Sequence, residues 1–296
     1  WVIETNAGKL TVYVQDFNGF SQGDFSYELF DNDMHAPGNG ENFIIETFSY
    51  TFQDSDGDQA SANIIVTIVD DVPSIEIIAT QAPDVIVDES DFNIDAKASF
   101  SVLFNIIPGA DGIASLIYNL SILAPGIDSG LVDTRSQESV RLFLEGGEVV
   151  GRTEASNEEV FRISIDANTA EITLNQSRSV VHPDSTDPDE ALSPASFAAE
   201  NLISLNVHVV DNDGDSDNQS IDIGHAFQFK DDGPSIELND VSIPMLQVDD
   251  SDFSENAVAS FAGLFAINFG ADGPKDIDND DIADVDAVQY ALSISA

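Results

Sequence analysis

The chain matches itself at an offset of 161 residues, and this register constrains its fold more than any other feature. Pro73-Ser-Ile-Glu76 returns as Pro234-Ser-Ile-Glu237, Val87-Asp-Glu-Ser-Asp-Phe92 as Val248-Asp-Asp-Ser-Asp-Phe253, and Gly109-Ala-Asp-Gly112 as Gly270-Ala-Asp-Gly273. A repeat this long implies similar modules in tandem, each burying its own core. The register divides the chain into 1–73, the C-terminal part of one module, 74–235, a complete module, and 236–296, the N-terminal part of a further one. Tyr118-Asn-Leu-Ser-Ile122 matches Tyr290-Ala-Leu-Ser-Ile294 at an offset of 172, so the third module carries 11 extra residues, within the aspartate-rich stretch 274–287. Beginning at Trp1 and stopping inside a module, the chain reads as a fragment, with any secretion signal or anchor outside it.

Within the modules the apolar pattern has the period of strands. Lys9–Val14 alternates, Phe48, Tyr50 and Phe52 share one face, and Ala60, Ala62, Ile64, Val66 and Ile68 supply a second. The complete module continues in this style from Ile75 to Val210. Turn signals such as Pro108-Gly109, Pro125-Gly126 and Gly146-Gly147 fall at short intervals. The spacing predicts an all-β chain of sandwich modules. A single helical turn is expected at 194–201, and 183–188 reads as a Pro/Asp-rich loop.

Composition limits the partners. Against 55 Asp and Glu stand 9 Lys and Arg, a net charge of −46, which repels nucleic acid and anionic membranes and favours cations. An apolar content of 42% with 19 Phe is enough for packed cores despite that charge. The absence of Cys removes disulfides, thiol catalysis and Cys-ligated zinc, leaving metal ions as the available staples. No apolar run of about 18 residues is present, so no membrane helix is expected in this segment. His35, His182, His208 and His225 show no ligand spacing, His208 falls on the polar alternate of a strand, and no enzyme is expected.

The acids are clustered. Asp54-Ser-Asp56-Gly-Asp58 and Asp211-Asn-Asp213-Gly-Asp215 each place three carboxylates on a tight turn, and each precedes a strand that ends in a double aspartate, Asp70-Asp71 or Asp231-Asp232, beside Pro. Calcium takes 6 to 8 oxygen ligands, which such clusters supply. The insertion offers Asp276, Asp278 and Asp280, and reads equally as a calcium loop or as a flexible charged one. Val87–Asp91 and its copy are divided between contributing ligands and forming an exposed strand edge. Strand order adds a long-range expectation. A module's last strand runs toward the next linker, so the turn before it sits at the opposite pole, beside the preceding linker. Asp211, Asp213 and Asp215 are therefore expected to share a calcium site with Asp70 and Asp71. By the same logic the turn at 54–58 awaits a preceding module, and Asp231-Asp232 a turn from the third.

Gly130-Leu-Val-Asp-Thr134, Gly146-Gly-Glu-Val-Val-Gly-Arg-Thr153, Val180-Val-His-Pro-Asp184, Asp211–Asp215 and Phe229-Lys-Asp-Asp-Gly-Pro-Ser-Ile236 resemble the long extender repeat of giant type I-secreted, RTX-type bacterial adhesins. The double-aspartate linkers also resemble the acidic, Pro-ending cadherin linker, although they lack its Asn. The resemblance implies tandem Ig-like or cadherin-like sandwiches with calcium at the junctions, neighbouring repeats as partners, and an extracellular, cell-surface role in adhesion and biofilm formation. The alternative is a carbohydrate- or protein-binding sandwich of a secreted protein. Loops of sandwiches often bind ligands, but Trp1 is the only tryptophan available for a sugar platform.

Overall fold

The computed structural model describes residues 1–32, 35–38, 40–183, 194–276 and 282–293. The fold is an all-β sandwich type, and the described residues add to the strands only single 3-10 turns at Ser101–Leu103, Gly224–Ala226 and Ala262–Leu264. No helix among them is long and apolar enough to cross a membrane. The chain forms two compact units. The first comprises Trp1–Thr80, Val102–Tyr118 and Asn206–Ser220; the second comprises Gln81–Ser101, Asn119–Leu205 and Ile221–Ala296.

The first unit contains an antiparallel sheet of Val2–Glu4, Gly8–Val12 and Phe25–Leu29, and a long hairpin pairing Phe43–Gln53 with Gln59–Val69. Hairpin register sets Phe48 against Ile64, Tyr50 against Ala62 and Phe52 against Ala60, the alternation expected from the sequence. Only the base of the hairpin is covered. Phe48 and Ile68 are buried, and Tyr27 packs on Phe48 with ring centroids 6.2 Å apart, whereas Tyr50 and Phe52 are exposed. Ser74–Ile77 then pairs antiparallel with Phe104–Ile107.

The second unit holds a six-stranded antiparallel sheet in the order Ile127–Val132, Ser139–Glu145, Glu148–Thr153, Glu159–Ile165, Glu171–Gln176, Ala96–Ser99. A smaller sheet of Ala195–Ser196, Phe227–Lys230 and Val85–Asp88 faces it, the last two strands parallel. Phe161 of the larger sheet meets Phe229 of the smaller at 5.3 Å between ring centroids, and Phe197 fills in beside both. Phe161 and Phe229, with Val140, Leu142, Ile163, Ile172 and Leu174, are buried and form the sandwich core, with Phe197 half-buried at its margin.

Asp133 lies inside this unit with no exposed surface, gripped by Arg178 through Nε at 2.7 Å and Nη2 at 2.8 Å and by the backbone and hydroxyl of Ser136. Burial pushes its carboxyl up, but Arg178 and Ser136 outweigh that and hold it below the usual range.

The 161-residue register reappears as geometry. Ser235–Leu238 pairs with Phe265–Asn268 in the register of Ser74–Ile77 with Phe104–Ile107, and each second strand follows a 3-10 turn. One local expectation is corrected: 194–201 forms no helical turn. Ala195–Ser196 is a strand whose backbone pairs with Phe229 and Gln228, and this partner overrides the helix preference of the neighbouring alanines. The loop expected at 183–188 lies outside the described residues from 184 onward.

Candidate metal centre

The strand Ile203–Asp211 buries every second residue, Ile203, Leu205, Val207 and Val209, and the next on that face is Asp211. The apolar stripe thus ends in a carboxylate. Asp211 Oδ1 accepts hydrogen bonds from the backbone N–H of Gly214 (2.9 Å) and Asp215 (2.7 Å), closing the turn on itself. Gly214 has φ +104°, a conformation that suits glycine. Asp54 closes its turn in the same way onto Gly57 and Asp58. The two turns differ in their surroundings: Asp211, Asp213 and Asp215 are 2%, 6% and 2% exposed, while Asp54, Asp56 and Asp58 are exposed.

The difference is made by residues distant in sequence and close in the first unit. Asp70, 5% exposed, accepts from Asn42 Nδ2 through Oδ2 at 2.8 Å, with His35 Nδ1 3.9 Å from the same oxygen. Asp71 Oδ2 accepts from the N–H of Ala110 at 2.5 Å. That approach requires glycine before it, since a Cβ at Gly109 would fall 2.1 Å from Asp71 Oδ2. Asp111 follows, accepting from Asn32 Nδ2 on its carboxylate and from Asn212 Nδ2 on its carbonyl. The ligand atoms of Asp70, Asp213 and Asp215 lie within 4.8 Å of one another, as do those of Asp70, Asp71 and Asp111, and those of Asp111, Asp211 and Asp213. Twice a calcium–oxygen bond of about 2.4 Å is about 4.8 Å, so each trio is close enough to share one ion.

Three of these carboxylates are half-tied. Asp70 is held through Oδ2 by Asn42, and Asp215 through Oδ1 by the N–H of Gly40 at 2.9 Å; Asp213 Oδ1 accepts a long hydrogen bond from the N–H of Asp215 at 3.4 Å. Their other oxygens, Asp70 Oδ1, Asp213 Oδ2 and Asp215 Oδ2, are buried without a hydrogen-bond partner among the described residues. Leaving such a group unsatisfied costs about 1 to 3 kcal/mol, more when it is charged. The strain shows in the titration. Burial and then Asp211 push the Asp213 carboxyl up to about 6, and burial with Asp215 and Asp111 raises Asp70 despite His35. A hard divalent cation would satisfy all three oxygens and reverse the repulsion.

The linker geometry repeats in the second unit. The N–H of Ala271 donates to both oxygens of Asp232 at 2.9 Å, and a Cβ at Gly270 would fall 2.4 Å from Asp232 Oδ2. Asp231 is grouped with Glu89 and His182. Asp276 lines a cleft with Phe92, Asp133, Asp272 and Lys275; Asp278 and Asp280 lie outside the described residues.

Of the residues expected to act together, Asp70, Asp71, Asp211, Asp213 and Asp215 are brought together in overlapping groups, while Asp54, Asp56 and Asp58 form a group with one another. Sequence reasoning missed Asp111, His35, Asn42 and Gly40. Asp111 had a signal, since it stands inside the repeated Gly-Ala-Asp-Gly; the others had none.

Residues 84–224 match a family model described as a domain of unknown function (DUF5801), to which this part of the chain is similar. No curated protein and no solved structure matches the chain.

Proposed function

We propose that this chain is a calcium-rigidified extender segment of a large bacterial surface adhesin, built of Ig-like or cadherin-like repeats and exported to the cell exterior. The reading is supported above all by one observation: three buried carboxylates, Asp70, Asp213 and Asp215, have ligand atoms within 4.8 Å of one another, and each carries an oxygen with no hydrogen-bond partner among the described residues. Asp70 belongs to the linker and the other two to a turn more than 140 residues later. An ion held between them ties the start of one module to the pole of its own penultimate turn, which stiffens the linker. At free calcium about 10 times the dissociation constant one such site adds about 1.4 kcal/mol, and extracellular modules bind at about 0.1 to 1 mM. Several sites in series turn a flexible string into a rod. The exposed turn at Asp54–Asp58, locally the same, takes its remaining ligands from a preceding repeat in this scheme.

The test is calorimetric calcium titration of the whole chain and of Asp70→Asn, Asp213→Asn and the double variant. A shared ion predicts that the double variant loses little more affinity than either single one. Independent, additive losses would remove the shared site and with it the stiffening mechanism.

A further inference from the structure

Glu89, His182 and Asp231 come from three separate stretches of the second unit and meet at a point with no residue in common with the carboxylate centre described above. The side chains are 0%, 4% and 13% exposed. His182 Nε2 stands 3.4 Å from Glu89 Oε1 and 4.0 Å from Asp231 Oδ1. Donors held tetrahedrally at about 2.0 to 2.1 Å from a zinc ion are about 3.3 to 3.4 Å apart, so His182 already stands at that spacing from the Glu89 carboxylate, and Asp231 has to approach His182 by about 0.6 Å.

We propose that Glu89, His182 and Asp231 form a binding centre for a borderline divalent metal, of which zinc is the representative, chemically distinct from the all-oxygen calcium site. Glu89 is positioned for this role. Its Oε1 accepts from Gln176 Nε2 at 2.7 Å and from the N–H of Val180 at 2.9 Å, which fixes the carboxylate, while Oε2 is buried with no partner. Two further oxygens are in the same condition: Gln176 Oε1, on the amide that holds Glu89, and Asp272 Oδ1. A protonated His182 paired with Glu89 would add a third donor to Oε1 and still leave Oε2 unsatisfied. A metal ion at Oε2 removes that deficit.

The imidazole selects the metal. Calcium and magnesium take oxygen ligands, whereas neutral imidazole with carboxylates suits zinc, cobalt and nickel. His182 must then be unprotonated, so protons compete with the metal for its ring nitrogen. No local ligand motif announces this centre, because its donors stand at positions 89, 182 and 231.

The experiment is a zinc chloride titration of the whole chain at pH 7.5 with calcium saturating, followed by calorimetry, comparing the unaltered chain with His182→Gln and Glu89→Gln. The unaltered chain is expected to bind one more zinc than His182→Gln, and Glu89→Gln to weaken that site at least about 10-fold. Unchanged zinc stoichiometry and affinity in His182→Gln would overturn the proposal, as would calcium displacing zinc one for one from the site. Should the variants fail to fold, X-ray absorption on the unaltered chain, calcium-saturated and loaded with half an equivalent of zinc, decides. A shell of one imidazole nitrogen with oxygens is expected; a shell without imidazole refutes it.

Discussion

Asp213→Asn separates the cost of the carboxylate centre from its use. In the metal-free protein Asp213 titrates near 6 rather than 3.8, because burial and Asp211 disfavour its charge. A raised carboxylate binds its proton more tightly folded than unfolded. The contribution of Asp213 to stability is therefore greatest below about pH 4 and falls as pH rises through about 6. Raised from 3.8 to about 6, ionised Asp213 is a burden of up to about 3 kcal/mol at neutral pH. Asparagine keeps the shape and removes the charge. In chelator at pH 7.5 the variant should unfold at higher denaturant than the unaltered chain, by up to that amount, and the difference should vanish near pH 4. In calcium the gap should close: the unaltered chain gains about 2.7 kcal/mol at 100 times its dissociation constant, and the variant little of it. Chemical unfolding by urea, followed by tryptophan-independent far-ultraviolet circular dichroism at both pH values, reads all four conditions. A variant less stable than the unaltered chain in chelator at pH 7.5, or one that gains as much from calcium, would refute the reasoning.

Three other outcomes follow from the same geometry. Gly109→Val should weaken calcium binding in calorimetry at least about 10-fold, because a Cβ there occupies the place of Asp71 Oδ2 and displaces that carboxylate from the N–H of Ala110. Arg178→Ala should cost about 3 to 5 kcal/mol in urea unfolding, since it strands the fully buried Asp133 without its bidentate partner; a loss under 1 kcal/mol would mean the pair is dispensable. Melting temperature should rise with calcium chloride and respond much less to sodium chloride at equal ionic strength, because screening does not chelate; equal responses would reduce the acidic clusters to general surface charge.

Much of the architecture was legible because it is local or periodic. Strand alternation at 203–211 specifies which side chains face inward, and the 161-residue register carries the strand pairs, the 3-10 turns and the Gly-Asp contact at each linker from one copy to the next. The convergence of Asp70 and Asp71 with Asp211, Asp213 and Asp215 also followed from strand order, since an antiparallel turn must lie at the pole its strands leave. What strand order could not supply was the full set of neighbours around two locally similar turns. Asp54 and Asp211 make the same hydrogen bonds to the same relative positions, yet one turn is solvated and the other buried. Only tertiary packing decided that, by setting Asp70, Asn42, Gly40 and Asp111 around one of them and removing the water that would have satisfied its free oxygens. The trio of Glu89, His182 and Asp231 is the same lesson. Ligand spacing is visible in sequence only when one element supplies several donors, and here each donor rides on a different segment that the fold alone draws together.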